Sequence, residues 1–527
     1  MWYNITMNLN RKSGILLHPT SLPGAGGIGT LGRASFDFID WLSDSGTKLW
    51  QVLPLGPTGY GDSPYQPFSA FALNPLLIDM EGLFEQGWAQ AEDVKVPDYI
   101  KPEGNVDFGS VVWWKKTALK NICKKIIDSG LKKIKTEFDS FCQEKAFWLD
   151  DYAAFMSIKS HYDSQGMWNK VWPEDLRLCR KTAVKKWEEE HKEEILTEKL
   201  IQFFAFTQWN RLHEYARKKN VEIVGDIPIF VSADSADVWS NQSCFQLKKN
   251  GEPSVVAGVP PDYFSPTGQL WGNPLYNWKK LAEDGYGWWI ERIKSTLKLV
   301  DYVRIDHFRG FDSYWAVKYG SKTAEKGRWL KGPGLSFFKA VKNALGELPL
   351  IAEDLGEITE SVRQLRKKTG LPGMKILEFG FDCAEEKRGA LLNAFLPHNY
   401  TDTNCVAYTG THDNDTVQGM LNALSQENLC LVASYLEGKK TDFATACLMR
   451  TDGTLCQKMV SLCFASTAAF ALVPMQDLFG FGSDCRMNTP GSACSNWAWR
   501  MRDDMLYGEL AEQKGQWLKE MNCLYNR

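Results

Sequence analysis

The sequence has no surplus of either charge, no C-x-x-C or H-x-x-x-H pair, and no uninterrupted apolar run of membrane-spanning length. Each absence removes a class of function. With 61 basic and 64 acidic residues the formal net charge is −3, so there is no basic excess to neutralise a phosphate backbone and no acidic tail. Nucleic acid is not an expected partner. The start, MWYNITMNLNRKSGILLHP, lacks the basic-then-apolar order of a signal peptide, and nowhere does the chain offer the roughly 18 apolar residues of a span. No membrane is therefore expected. The 13 cysteines are odd in number and scattered, as in a cytoplasmic protein with reduced thiols rather than in a disulfide framework. The seven histidines show no ligand spacing, so no metal is expected, and without a G-x-S-x-G elbow there is no serine nucleophile of that kind.

What is present is an apolar, aromatic chain of 527 residues, 44% hydrophobic, with 21 Trp, 18 Tyr and 28 Phe. That is enough for a large core, and rings with polar edges also suit flat, hydroxyl-rich ligands such as sugars. The central stretch is DYVRIDHFRG, Asp301 to Gly310. Strand side chains alternate, so Arg304 and Asp306 share one side, Val303 and Ile305 share the other, and His307 points away from Asp306. A guanidinium beside a carboxylate lowers its pKa, as a nucleophile that stays ionised requires. A structural ion pair would look the same.

Seven other apolar runs resemble it: Gly14–His18, Leu49–Leu55, Val221–Phe230, Leu350–Leu355, Met374–Phe379, Cys405–Thr411 and Ala468–Gln476. Eight strands, most separated by helical segments such as Ala34–Ser45 and Trp288–Leu299, predict an α/β fold, a (β/α)8 TIM barrel. Residues 1–81 and 201–527 supply the barrel. Residues 82–200, helical and heavily charged, read as an insertion with solvated faces. A loop-rich insertion at about 234–287 is expected to lie over the site at the barrel's C-terminal face. The glycines of SLPGAGGIG formally fit G-x-G-x-x-G, but Pro19 and Pro23 detach them from the strand, so no dinucleotide cofactor is expected.

Polar residues gather where the strands end. Three carboxylates there, Asp306, Glu353 and Asp413, provide the equipment of a retaining glycosidase: one attacks the sugar and another protonates the leaving oxygen. Arg304 marks Asp306 as nucleophile. Glu353, crowded by carboxylates, is expected to have a raised pKa and to act as acid, then base. Asp413 would brace the transition state, with His412 donating to a sugar hydroxyl. Asp226 and Asp477 read as caps or loop-closing partners.

The segments DYVRIDHFRG, LIAEDLG, YTGTHDND, SLPGAGGIGTLG, GYGDSPYQPFSAFALNP, GDIPIFVSADSADVW, GVPPDYFSPTGQLWGNPLY, RMNTPG and NWAWR together resemble the 4-α-glucanotransferases, the amylomaltase or disproportionating-enzyme group of glycoside hydrolase family 77. The resemblance implies the same three roles. It also implies that Arg304, His412, Tyr65, Asp262, Gln269 and Trp271 bind sugar, with Phe379 and Asn488 as further binding residues. The implied reaction moves a glucosyl chain from one α-1,4-glucan to the 4-hydroxyl of another or of glucose, without a cofactor. The competing readings are a retaining α-1,4-glucan hydrolase on the same barrel and a non-catalytic glucan-binding protein.

Overall fold

In the computed structural model, which describes residues 10–527 apart from Tyr60, 163–164, 262–264, 382–392 and 493–494, all eight apolar runs contribute barrel strands. They are β1 (Lys12–Leu16), β2 (Leu49–Gln51), β3 (Glu222–Ile227), β4 (Tyr302–Ile305), β5 (Leu350–Ala352), β6 (Gly373–Ile376), β7 (Cys405–Tyr408) and β8 (Phe470–Pro474). Seven of the neighbouring pairs in chain order form parallel ladders, β8 returning to β1, and β5 and β6 are the two edges of the sheet. Between β5 and β6 the ring closes through the Ala352 N–H, which donates to the Pro372 carbonyl at 2.9 Å. Asp354 supports that seam by accepting from the Met374 N–H at 2.8 Å and pairing with Arg366 at 2.9 Å.

Alternation sorts the side chains into two cores. Leu49, Val224, Ile351, Met374, Val406 and Phe470 point inward and form a cluster separate from the larger core between strands and helices. β1 contributes no side chain at this level: a Cβ on Gly14 would lie 2.4 Å from Leu472 and 2.5 Å from Leu49. Below the apolar layer, Lys12 pairs with Glu222 and donates to the Tyr302 hydroxyl at 3.2 Å. Above it, the Tyr408 hydroxyl donates to Gln51 at 2.9 Å, and beyond that lie Asp226 and Arg304. The interior is thus a stack of layers, polar at both ends.

The insertion is built on three long helices, α1 (Phe108–Asp128), α2 (Lys135–Tyr162) and α3 (Lys192–Lys218). The last returns to the barrel, burying Phe204, Trp209, Leu212 and Ala216, and its Trp209 Nε1 donates to the Leu299 carbonyl at 2.9 Å. Most of the charge does face solvent, as on helix Lys181–Glu190, which buries no side chain. Lys115 is an exception. Its ammonium is buried against the Leu76 and Ile78 carbonyls at 2.6 and 2.7 Å, and burial pushes it down to about 7.

The insertion expected over the site carries two strands of a second sheet. Val255–Val259 and Gln269–Pro274 form an antiparallel pair joined to Ser313–Lys318 and Gly327–Lys331. One of its three ladders joins distant segments, Val255–Val259 to Ser313–Lys318, and its first ladder shifts register between Val256 and Gly258, so local alternation does not reveal it.

Candidate active site

Strand register assembles the centre of the site. Asp226 on β3 lies opposite Arg304 on β4, so a guanidinium nitrogen reaches Asp226 Oδ2 at 2.5 Å while the other donates to Asp306 Oδ1 at 3.0 Å. The Tyr65 hydroxyl donates to the same Asp226 oxygen at 2.9 Å. Arg304 is 3% exposed, and a cation so buried holds its charge only because carboxylates flank it. Asp226 is therefore not the loop-closing cap that the sequence suggests: it anchors the arginine. Burial pushes it up to about 6 despite Arg304.

β4 ends at Ile305, and the chain turns before the alternation can continue. His307 has φ +53, a left-handed conformation uncommon for a residue with a Cβ. The strand alternation from which His307 was expected to point away from Asp306 therefore does not extend to it. Its N–H is aimed at Glu353 Oε2, 2.6 Å away, while the Leu355 N–H donates to Oε1 at 2.9 Å. Glu353 is pushed up to about 8, first by burial and next by the charge on Asp306, against the pull of Arg304 and the two backbone donors. Asp306 is also shifted upward by burial, opposed by Arg304 and reinforced by Asp413. The lowering expected from Arg304 alone is thus outweighed. With 28% of its side chain exposed, Asp306 keeps the guanidinium as a partner, and burial together with the charge on Asp306 favours the protonated form of Glu353.

Asp413 follows β7. One carboxylate oxygen accepts from Asn488 Nδ2 at 2.6 Å and the other lies 3.3 Å from His412 Nε2, while its main-chain carbonyl accepts from Arg486 at 2.6 Å. Burial raises Asp413, but His412, the bond from Asn488 and Arg304 outweigh it and hold the carboxyl well below the usual range. The His412 ring stacks on Tyr65 at 5.1 Å and 18°. Trp497 completes this wall, 5.7 Å from Tyr65 and 5.9 Å from His412. It is a residue the sequence reading did not single out, although it lies within NWAWR.

Opposite, Trp271 meets His307 edge-on at 4.8 Å and donates to Gln269 at 3.3 Å. Both lie on the outer strand of the second sheet. Phe379, in the short helix Leu377–Gly380, packs edge-on to Phe395 and against the interior cluster. Asp262 lies outside the described residues. Asp477 is a structural partner, accepting from Thr409 Oγ1 at 2.6 Å and from the Val417 N–H at 2.8 Å. Among the described residues, the three-residue grouping with metal-ligand geometry is His161, His191 and Glu194, in the insertion.

Set beside known proteins, the chain matches the sequence model of the family described as 4-alpha-glucanotransferase over residues 17–506. It is 45% identical over 504 residues to the 4-alpha-glucanotransferase of Synechocystis sp., covering 94% of this chain and 95% of that one. To the Thermus thermophilus 4-alpha-glucanotransferase it is 44% identical over 516 residues, covering 98% and 99%. Among solved structures, the amylomaltase from Streptococcus agalactiae in complex with acarbose matches with a TM-score of 0.90 at 37% identity, over 98% of this chain and 99% of that one.

Proposed function

The chain belongs to the 4-alpha-glucanotransferase family, and from that premise we propose that it transfers α-1,4-glucan segments to the 4-hydroxyl of glucose or another glucan, with net retention. Asp306 is the nucleophile. It attacks the anomeric carbon as Glu353 gives its proton to the leaving glycosidic oxygen, producing a glycosyl ester on Asp306 and a shortened glucan. Glu353, now ionised, takes the proton of the acceptor hydroxyl, whose oxygen attacks the same carbon and frees Asp306. Asp413, ionised throughout, holds sugar hydroxyls against the distorted, charge-bearing ring. Arg304, His412, Tyr65 and Asn488 orient the reacting sugar, while Gln269, Trp271 and Phe379 line the neighbouring positions; Asp262 is a further sugar-binding residue by resemblance alone.

The observation carrying this reading is that a carboxyl pushed up to about 8 stands beside a carboxylate bound to a buried guanidinium. One is set to donate a proton and the other to attack. The aromatic wall of Tyr65, His412 and Trp497 favours a sugar over water as acceptor. Among the described residues no helix is long and apolar enough to cross a membrane, and the cysteines described are free, which supports a cytoplasmic site of action.

The test is the product profile from maltotriose beside an Asp306→Asn control. Glucose with a ladder of longer glucans is expected, falling by about 10³-fold or more in the variant. Glucose and maltose alone would make the enzyme a hydrolase. A variant as active as the parent would remove Asp306 as nucleophile.

A further inference from the structure

Far from the carboxylates, in sequence and in role, three side chains of the insertion converge without any part in the glucan chemistry. His161 comes from the last turn of α2, Glu194 from the first turn of α3, and His191 from the junction between helix Lys181–Glu190 and α3. Their ligand atoms all lie within 4.8 Å of one another. His161 Nε2 is 3.1 Å from both Glu194 oxygens, and His191 Nδ1 is 3.3 Å from Glu194 Oε1. Ligands at 2.0–2.2 Å from a tetrahedral ion stand about 3.4 Å apart, so two of the three separations already match the edges of such a site.

The surroundings fix the ligands. Ser157 Oγ donates to Glu194 Oε2 at 2.8 Å, and Trp187 Nε1 donates to Ser157 Oγ at 3.1 Å. The Trp187 ring lies flat on His191, with centroids 3.9 Å apart at 17°. A carboxylate held by a hydroxyl is a support of the kind that orients metal ligands, and the stacked ring holds the His191 imidazole in place. The side chains remain 40%, 23% and 43% exposed for His161, His191 and Glu194, leaving a path in from solvent and a side on which water can complete the coordination.

We propose that His161, His191 and Glu194 bind one divalent transition ion of the zinc class. Two imidazoles and a carboxylate favour such an ion over magnesium or calcium, which prefer all-oxygen shells. On binding, His161 Nε2 and His191 Nδ1 give up any proton they hold and turn their lone pairs to the ion, while Glu194 supplies an oxygen. The ion ties the end of α2 to the start of α3, fastening the insertion outside the catalytic barrel.

Zinc titrated calorimetrically into the chelator-stripped full chain tests this. One saturable ion is expected that disappears from the His161→Gln/His191→Gln variant, with affinity weakened about tenfold in Ser157→Ala through loss of the carboxylate's support. Transfer from maltotriose should persist in both variants, reporting that they are folded. A zinc isotherm unchanged in the double variant, which would place the ion on the thiols, or no saturable binding by the parent, overturns the proposal.

Discussion

The two ends of the barrel interior both carry charge, half-buried at one end and buried at the other, and they use it in opposite ways. At the N-terminal end Lys12 meets Glu222, with the Tyr302 hydroxyl beside them: one cation, one anion, a closed account. At the C-terminal end a single guanidinium is flanked by Asp226 and Asp306, with Glu353 and Asp413 within reach of its field. Cations and carboxylates do not balance there. The excess negative charge has to be relieved by a proton, and Glu353 holds it because burial and Asp306 act on it together. The same ingredients give a structural pair where they match and, where they do not, a carboxyl with a raised pKa beside a carboxylate held by a guanidinium, the pairing that the proposed acid and nucleophile require.

The comparison breaks most sharply at Arg304. Arg304→Met should leave Asp226 and Asp306 facing each other without a cation, costing about 3–5 kcal/mol of stability and nearly all transfer activity, as read by denaturant unfolding and maltotriose turnover. A variant as stable as the parent would mean that the pair is dispensable.

Glu353→Gln sharpens it through pH. The folded pKa of about 8 lies above the ordinary glutamate value of 4.5, so the folded state binds the proton more tightly than the unfolded chain does. Its contribution to stability is complete below about 4.5, declines as pH rises, and is lost through about 8. Glu353→Gln is therefore expected to flatten the fall in stability across that window while abolishing transfer. In the parent, kcat/KM should decline as pH rises past about 8, where the general acid of the free enzyme is lost. A rate that keeps climbing there would assign the proton to another group.

The smallest effect belongs to the balanced end. Lys12 is half-buried, and its pKa is raised because the bonds to Glu222 and Tyr302 outweigh desolvation, so its stabilisation is present below the ordinary lysine range and lost above it. Lys12→Met should cost at most about 1 kcal/mol and leave maltotriose turnover unchanged. A large loss of turnover would show that the two ends are coupled through the interior layer.

How much of this was legible depends on how local the signal is. The eight strands could be read because each is an apolar run long enough to bury on both faces, and the three carboxylates because Asp306 and Glu353 directly follow their strands and Asp413 comes five residues after β7. Seven of the eight strands are shorter than their runs, β1 being displaced instead: β4 stops at Ile305 and β7 at Tyr408, because the polar ends bend toward the cleft. Asp226 resembled a cap because its partners, Tyr65 and Arg304, lie 161 and 78 residues away. The second sheet escaped because its central ladder joins Val255–Val259 to the distant Ser313–Lys318 and its first ladder shifts register. His161 and His191 show no ligand spacing, yet the packing of α2 against α3 brings their rings to 4.7 Å.

The sequence by itself determined the alternation of strands and helices, the inward placement of Arg304 with Asp306, and the carboxylate at the end of each of three strands. These follow from side-chain periodicity and the apolar content of single segments. The tertiary structure alone decided the charge states: Asp306 shifted up rather than down, Glu353 holding the proton, Asp413 kept ionised by His412 and Asn488. A pKa is set by burial and by every charge within a few ångströms, and those neighbours come from different strands, so only the closed barrel defines them.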